Sequence, residues 1–412
     1  MKFTYIDKEN LCVYTDGSIQ KLESEYILRY RENLKRDKRN KEWKKNTDAM
    51  MYDDYFFEGE SIIVSMYSIS PTLEENKILY SFSVNETSGV YYKYTDDEKK
   101  TEAHFITSSE ENFKDILMNR NGVIVGTVQK DPLTADIAVF SPQGGDYKCI
   151  TGGDSLDENP FAVENGVFFY NSYGIGRDMN NDFVQYIPSE ILKINTRSME
   201  VETVISDEKN SYIKPVLDAE GNLYCIQKPG IEKEKNNVLL DILLIPVRII
   251  QAIIGFISMF VRVFTGKPLI NGKGKTSNGG SAAKNADEQK IFIHNHLLNV
   301  EKELKRNQKT EDSGFIPHSW RLVRFKKSTD GDFFNTQYDI KNGEELAKGV
   351  ADFCITDEAV VYTNGKRIFE LRFEDGEIKK KKLLNTDFCI KISAIDEKMS
   401  EAGKNKDLFY TL

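Results

Sequence analysis

Residues 166–172 read GVFFYNS, and residues 190–195 read EILKIN. Both runs are rich in aromatic and β-branched residues, which pack well on the half-buried surface of a pleated sheet. Gly, Asn and Pro residues, which favour turns, separate them from the neighbouring sequence. The two runs therefore predict two neighbouring β-strands.

The same pattern recurs along the chain. Runs equivalent to the first strand lie at 77–84, 122–128, 222–227 and 359–363. Second strands are predicted at 90–94, 136–140, 190–194, 321–325 and 368–372, and third strands at 104–107, 147–151, 201–205, 334–338 and 378–384. A weaker strand precedes each set, and equivalent strands recur about every 45–55 residues, a period typical of propeller blades.

The two ends of the chain predict how such a ring would close. Residues 388–395 and 407–412 form two further strand-like runs, and residues 2–6 and 11–15 form two more. Joined together they would make one composite blade, which gives an all-β, six-bladed propeller over residues 1–229 and 314–412. Residues 18–22 leave a seventh blade open as the alternative.

Two blades resemble a known family. The stretch ITGGDSLDENP at 150–160, followed by GVFFYNS and EILKIN, resembles the TolB-type propeller repeat, and so do residues 215–227 with their Asp-Ala-Glu-Gly-Asn hairpin. The resemblance implies a propeller that binds protein partners, often in the periplasm. Residues 1–7 carry no leader-like pattern, so we expect a cytoplasmic protein.

Charge and cysteine content narrow the range of functions. The net charge of −9 argues against nucleic acid as a partner, because phosphate binding needs a basic face. The cysteines are scattered without metal-binding spacing: Cys12, Cys149, Cys225, Cys354 and Cys389. We therefore expect buried free thiols in a reducing compartment.

A basic segment interrupts the strands early. Residues 23–50 show helical spacing of Ile27, Tyr30 and Leu34, followed by KRDKRNKEWKK at 35–45. We predict a surface helix. It is either a solvated helix that caps the propeller or a contact for an anionic partner, such as lipid headgroups or an acidic protein.

A second interruption, residues 230–313, lies inside one blade and has three predicted parts. Residues 237–266 (NVLLDILLIPVRIIQAIIGFISMFVRVFTG) form the most apolar stretch of the chain. Residues 271–287 are rich in Gly, Ser and Asn and predict a flexible linker. Residues 286–308 predict a second helix, in which His294 and His296 would point apart and bind no metal.

The apolar stretch decides the predicted location. Its few polar or small residues are separated by 7, 3, 4, 3 and 4 positions and so share one helical stripe: Asp241, Arg248, Gln251, Gly255, Ser258 and Arg262. Length and hydropathy favour a membrane segment. The chain must return to complete the same blade, so the helix would lie in the interface or re-enter on one side, with Pro246 kinking it. The alternative is burial in a protein partner or against the flank of the propeller itself.

Two sets of residues in this segment would then contact lipid. Arg248, Arg262 and Lys267 would contact anionic headgroups. The predicted membrane-binding residues are Leu239, Leu240, Leu243, Leu244, Ile249, Ile250, Ile253, Ile254, Phe256, Ile257, Phe260 and Phe264.

No phosphate loop, nucleophile elbow or metalloprotease motif occurs in the sequence, so we predict no catalytic, cofactor or metal residue. The favoured function is a non-catalytic scaffold, peripheral on a membrane, that binds an unidentified protein partner. Two alternatives stay open: a propeller enzyme of hydrolase or lyase type acting at the central channel, and a homo-oligomer assembled through the apolar helix.

Overall fold

A computed structural model describes residues 1–45, 62–96, 101–119, 121–163, 166–230, 290–307, 313–328, 336–374 and 377–394. Within these ranges the strands form six antiparallel sheets of at least four strands, arranged as a six-bladed β-propeller, as predicted. The innermost strands of successive blades lie side by side and surround a central channel.

Blade 1 contains β1 (Lys2–Asp7), β2 (Asn10–Thr15), β3 (Ser18–Leu22) and β27 (Lys391–Ser393). Blade 2 contains β4 (Val64–Pro71), β5 (Lys77–Val84), β6 (Thr87–Tyr94) and β7 (Glu102–Ser108). Blade 3 contains β8 (Asn112–Met118), β9 (Ile124–Gln129), β10 (Asp136–Phe140) and β11 (Tyr147–Cys149).

Blade 4 contains β12 (Ser155–Ala162), β13 (Val167–Arg177), β14 (Phe183–Tyr186), β15 (Glu190–Asn195) and β16 (Glu200–Ile205). Blade 5 contains β17 (Asn210–Leu217), β18 (Leu223–Pro229), β21 (Arg321–Phe325) and β22 (Glu344–Lys348). Blade 6 contains β23 (Asp352–Ile355), β24 (Val360–Thr363), β25 (Gly365–Glu374) and β26 (Glu377–Cys389).

Both ends of the chain build blade 1, which confirms the predicted composite closure. The C-terminal strand β27 pairs with β1 through Thr4↔Ser393 and Ile6↔Lys391. Residues 18–22 pair with β2 as the outermost strand of this blade, so they complete the sixth blade and do not begin a seventh. The predicted strand at 407–412 lies outside the described residues.

The outer strand of blade 5 differs from the prediction. We expected it at 334–338, but β22 (Glu344–Lys348) pairs with β21 in that position. Tyr338 instead packs into the core between blades 4 and 5, where its ring meets Phe169 edge to face. Its aromatic character reflects this burial. The outer strand faces solvent and therefore carries a weak strand pattern.

The predicted basic helix is α1 (Glu25–Lys45). The backbone amides of Glu25 and Tyr26 donate to the Glu102 carboxylate, at 3.2 and 2.9 Å, which satisfies unpaired donors of the first turn. Ile27 is buried between blades 1 and 2. The helix is thus fixed to the ring by its first turns.

The insertion in blade 5 is described over residues 290–307. Where we predicted one helix at 286–308, β19 (Lys290–Ile293) and β20 (His296–Asn299) form a hairpin, followed by the short helix α2 (Val300–Asn307). His294 and Asn295 have φ values of 46° and 57°, so they form a tight two-residue turn of type I′. The predicted apolar helix 237–266 and linker 271–287 lie outside the described residues.

Neither helix in the described part of the chain is long and apolar enough to span a bilayer.

Candidate functional site at the central channel

Polar side chains enter the channel at irregularities in the innermost strands. Strands β8, β12 and β17 each shift register at a bulge. In each bulge one residue has a positive φ: Asp115 at 48°, Asn159 at 52° and Lys214 at 54°. Bulges bend a strand and redirect its side chains. All three residues line one cavity in the channel.

Two ion pairs cross this cavity. Lys391 Nζ of blade 1 lies 2.6 Å from Asp115 Oδ1 of blade 3. Lys214 of blade 5 pairs with Asp352 of blade 6, and Lys214 Nζ also donates to the carbonyl of Ile392 at 3.2 Å. Asp352 Oδ2 accepts the amide of Ile392 at 2.8 Å. The ion pairs therefore fix the C-terminal strand to three other blades.

The insertion hairpin closes one end of the channel. The His294 carbonyl accepts hydrogen bonds from Lys228 Nζ and, at 3.4 Å, from the Tyr173 hydroxyl. His294 Nε2 lies 2.9 Å from the carbonyl of Ala351. These contacts join the turn to blades 4, 5 and 6, so the hairpin closes this end of the channel. We call this hairpin the stopper.

We name the two ends of the propeller from this arrangement. The hairpin touches Ala351, which lies just before the innermost strand β23, whereas the cavity is lined by residues 352–355 of that strand. In blades 4 and 5 the cavity lining likewise begins at the bulge and continues to the strand end, over 159–162 and 214–217. The closed face is the end where the innermost strands begin, and the open face is the end where they finish.

The cavity is a blind pocket of about 110 Å³. Its floor carries the two ion pairs. Its walls are mainly apolar and include Ile116, Met118, Phe161, Val216 and Phe353. A pocket with a charged floor and apolar walls suits a ligand or peptide side chain that is apolar along its length and polar at one tip.

Burial and mutual proximity shift the pKa values of the channel residues. Burial raises the pKa of Glu158 to about 7, and the nearby Asp115 carboxylate adds to the shift. Burial lowers the pKa of Lys228 to about 7, although Glu158 opposes the shift. Burial and the ammonium groups of Lys391 and Lys228 lower the pKa of His294, so that its imidazole is neutral at pH 7.

The pKa values of Asp115 and Lys391, the ion pair at the floor of the pocket, shift in the opposite directions. Burial alone would raise the pKa of Asp115 and lower that of Lys391, but their attraction to each other, together with that of nearby charges, outweighs burial and reverses both shifts. Both groups therefore stay charged near neutral pH. Among the described residues no group of His, Cys, Asp and Glu side chains is arranged to hold a metal ion.

None of the residues predicted to bind lipid falls within the described ranges, so those predictions stand untested. The prediction of buried thiols holds for four cysteines, but Cys149 is exposed. It ends the outer strand β11, whose residues face solvent on one side. His294 and His296 lie at a hairpin turn and against Trp320, not on one helix.

Sequence reasoning did not predict the channel residues. A usable signal existed in two blades, where a polar residue followed by proline interrupts a strand: Asn159-Pro160 and Lys214-Pro215. Proline removes a ladder hydrogen bond and is often found at bulges. No such sequence signal indicated that the hairpin would close the channel, because the closure depends on a contact between distant parts of the chain.

No family model matches the chain, and no curated protein matches it. Among solved structures it is similar to TolB from Acinetobacter baumannii, with 10% identity and a TM-score of 0.46 over 95% of this chain and 65% of that one. It is also similar to the tricorn protease, with 11% identity and a TM-score of 0.39 over 96% of this chain and 35% of that one. The chain thus spans just under two thirds of the length of TolB, and these likenesses concern the fold alone.

Proposed function

We propose that this protein is a non-catalytic propeller scaffold that attaches peripherally to a membrane through residues 237–266 and binds a protein partner at its open face. One observation supports the attachment most directly. The segment 231–289 is bounded by Gly230, whose amide donates to Lys209 at 2.8 Å, and by the hairpin that begins at Lys290. Both boundaries lie on the closed face, so the intervening chain leaves and returns on the same side.

The sequence of that segment supports a lipid surface as the target. A stretch this apolar that starts and ends on one face of a soluble body fits an in-plane or re-entrant segment better than a crossing. Arg248, Arg262 and Lys267 would then meet headgroups, each favouring anionic lipid by about 1 kcal/mol.

The open face supports a protein partner. The insertion blocks the closed end of the channel, which leaves the blind pocket accessible from the open face. The apolar lining gives a partner side chain a place to be buried, and the loops around the mouth would supply the surrounding polar contacts.

The enzyme alternative has one observation in its favour, the shifted pKa values of Glu158 and Lys228. However, Lys228 donates to the His294 carbonyl and lies 5.4 Å from the ring centre of Trp320, in the stopper region. We therefore assign Lys228 a structural role, and this role favours the scaffold over an enzyme.

Flotation with liposomes tests the proposal. The full-length protein should float with vesicles of phosphatidylcholine and phosphatidylserine, and deletion of residues 237–266 should leave it in the soluble fraction. Deletion of residues 271–287 is the matched control, because it shortens the same insertion without removing the apolar stretch. An intact protein that is monomeric and stays soluble with vesicles would refute the proposal. Loss of an oligomer upon deletion, without any flotation, would favour self-association.

A further inference from the structure

We infer that the closed face is itself a docking surface for an anionic bilayer, so that the propeller rests on the membrane with its pocket mouth pointing away from it. The inference deepens the proposed function and rests on it for the choice of a membrane as the partner.

The closed face carries exposed apolar side chains on two hairpins. Strands β13 and β14 extend beyond the blade edge and expose Phe183 and Val184, the latter at 58%. Cross-strand partners Phe292 and Leu297 of the insertion hairpin are 65% and 59% exposed. Contiguous exposed apolar patches often mark interaction sites.

The two hairpins are neighbours. Tyr173 of β13 donates to the His294 carbonyl at the tip of the insertion hairpin. Tyr186 of β14 and Ile291 of β19 pack against the same core cluster, and the Tyr186 hydroxyl donates to the Leu133 carbonyl at 2.9 Å. The exposed side chains therefore belong to one surface, which we call the apolar patch: Phe183, Val184, Ile187, Phe292 and Leu297.

The basic helix α1 emerges on the same face. Tyr30 accepts a hydrogen bond from Asn85 in the β5–β6 turn, and Arg31 pairs with Glu9 in the β1–β2 turn at 2.6 Å. Both turns lie where the innermost strands begin, on the closed face. From Glu32 onward the side chains that the structure describes are almost all exposed, so the helix projects from the ring.

The charge of α1 matches an anionic surface. Residues 25–45 contain nine Lys or Arg residues and four Asp or Glu residues, in a chain whose net charge is −9. The fourteen residues after Arg31 extend about 21 Å at 1.5 Å per residue. Cations on a projecting helix and an apolar patch on the same face reproduce the two elements of interfacial binding, which are attraction to headgroups and burial of apolar side chains.

Two acidic residues beside the β13–β14 hairpin have ion-pair or hydrogen-bond partners. Asp154 pairs with Arg177 at 2.6 Å, and Asp178 accepts the amides of Asn180 and Asp182 in the β13–β14 turn.

Charge reversal tests the cationic element. In the full-length protein, Lys35→Glu, Arg36→Glu and Arg39→Glu together should weaken partitioning onto vesicles with phosphatidylserine by at least about tenfold. Arg197→Glu, Lys326→Glu and Lys341→Glu make the same charge change on exposed open-face residues and should alter partitioning less than about twofold. Equal effects of the two triple variants would overturn the inference.

Labelling tests the orientation directly. In a Cys149→Ser background, Phe292→Cys or Met199→Cys is labelled with an environment-sensitive fluorophore. With the anionic vesicles the label at 292 should brighten and shift to the blue, while the label at 199, on the open face, should not change. A blue shift at 199 and none at 292 would overturn the inference. A shift at 292 that appears with a bound protein but not with vesicles would overturn it too.

The two proposals fail in different ways. If deletion of 237–266 abolishes flotation while α1 reversal and the label at 292 have no effect, the membrane function stands and the closed-face inference falls. If the deleted protein still binds weakly through α1 in a salt-sensitive manner, the closed face docks and the anchoring role of 237–266 falls.

Discussion

Lys391 Nζ and Asp115 Oδ1 lie 2.6 Å apart although they are 276 residues apart in sequence and belong to blades 1 and 3. Their contact crosses the channel and holds β27, a strand of three residues. The ring therefore closes through a partly buried ion pair as well as through the ladder between β1 and β27.

Removing one partner should destabilise the propeller. Lys391→Met leaves the Asp115 carboxylate largely buried without its counter-ion, so we expect the free energy of unfolding to fall by about 3 kcal/mol in urea denaturation. Adding Asp115→Asn should restore part of this loss, because Asn tolerates the positive φ of that position. The exposed pair Lys8–Asp387 is the control, and Lys8→Met should cost no more than about 1 kcal/mol. Similar losses for both pairs would contradict this role.

Glu158 should make stability depend on pH. Its pKa in the folded protein is raised to about 7 by burial, so the folded state keeps a proton that the unfolded state releases near pH 4.5. Stability from this group is present at low pH and is lost as pH rises through this interval. Relative to Glu158→Gln, the wild type should lose about 1–3 kcal/mol between about pH 5 and pH 7. Parallel stability curves for the two proteins would show that the carboxyl is not shifted.

The hairpin turn should be sensitive to a single backbone requirement. Asn295 has a φ of 57°, which alanine adopts at a cost of about 1–2 kcal/mol. Asn295→Ala should loosen the stopper and expose Trp320, which is 2% exposed and lies 5.9 Å from the His294 ring. In a Trp43→Phe background, acrylamide should quench Trp320 more strongly in Asn295→Ala but not in Asn295→Gly. Equal quenching in both variants would show that the backbone conformation of residue 295 does not control closure of the channel.

One thiol should be reactive in the native protein. Cys149 is exposed, while Cys12, Cys225, Cys354 and Cys389 are buried. Burial of part of the side chain raises the pKa of Cys149, so its reaction with a disulfide reagent should accelerate as pH increases. Cys149→Ser should abolish the fast reaction. A fast phase that survives this change would mean that one of the other thiols opens to solvent.

The blades were predictable from sequence because each depends on local alternation and turn chemistry. The runs at 77–84 and 222–227 contain enough β-branched and aromatic residues to identify strands without tertiary information. The outer strand Glu344–Lys348 was missed because most of its side chains face solvent and lack that pattern. The central channel was missed for a different reason. Asp115, Lys214 and Lys391 acquire their role from bulges and from contacts between distant blades, which a one-dimensional pattern does not contain.

The hairpin at 290–299 shows how a helical pattern can mislead. Residues Ile293, Leu297, Val300 and Leu304 are spaced as on a helix, but in the structure they divide between a hairpin and α2. His294 and Asn295 together adopt the turn conformation, and Lys228 and Tyr173 bind the resulting tip. The strands β19 and β20 thus pair where the tip of their hairpin contacts channel residues, and the helical spacing of the apolar residues did not indicate this pairing.

Hydrogen–deuterium exchange of the full-length protein, with and without phosphatidylserine vesicles, tests most directly whether the closed face meets the membrane. We expect the vesicles to slow exchange in residues 175–187 and 290–299 and to leave the open-face turns at 72–76, 141–146 and 196–199 unchanged. Slower exchange confined to those open-face turns, or no change on either face in a protein that floats with the vesicles, would contradict the account.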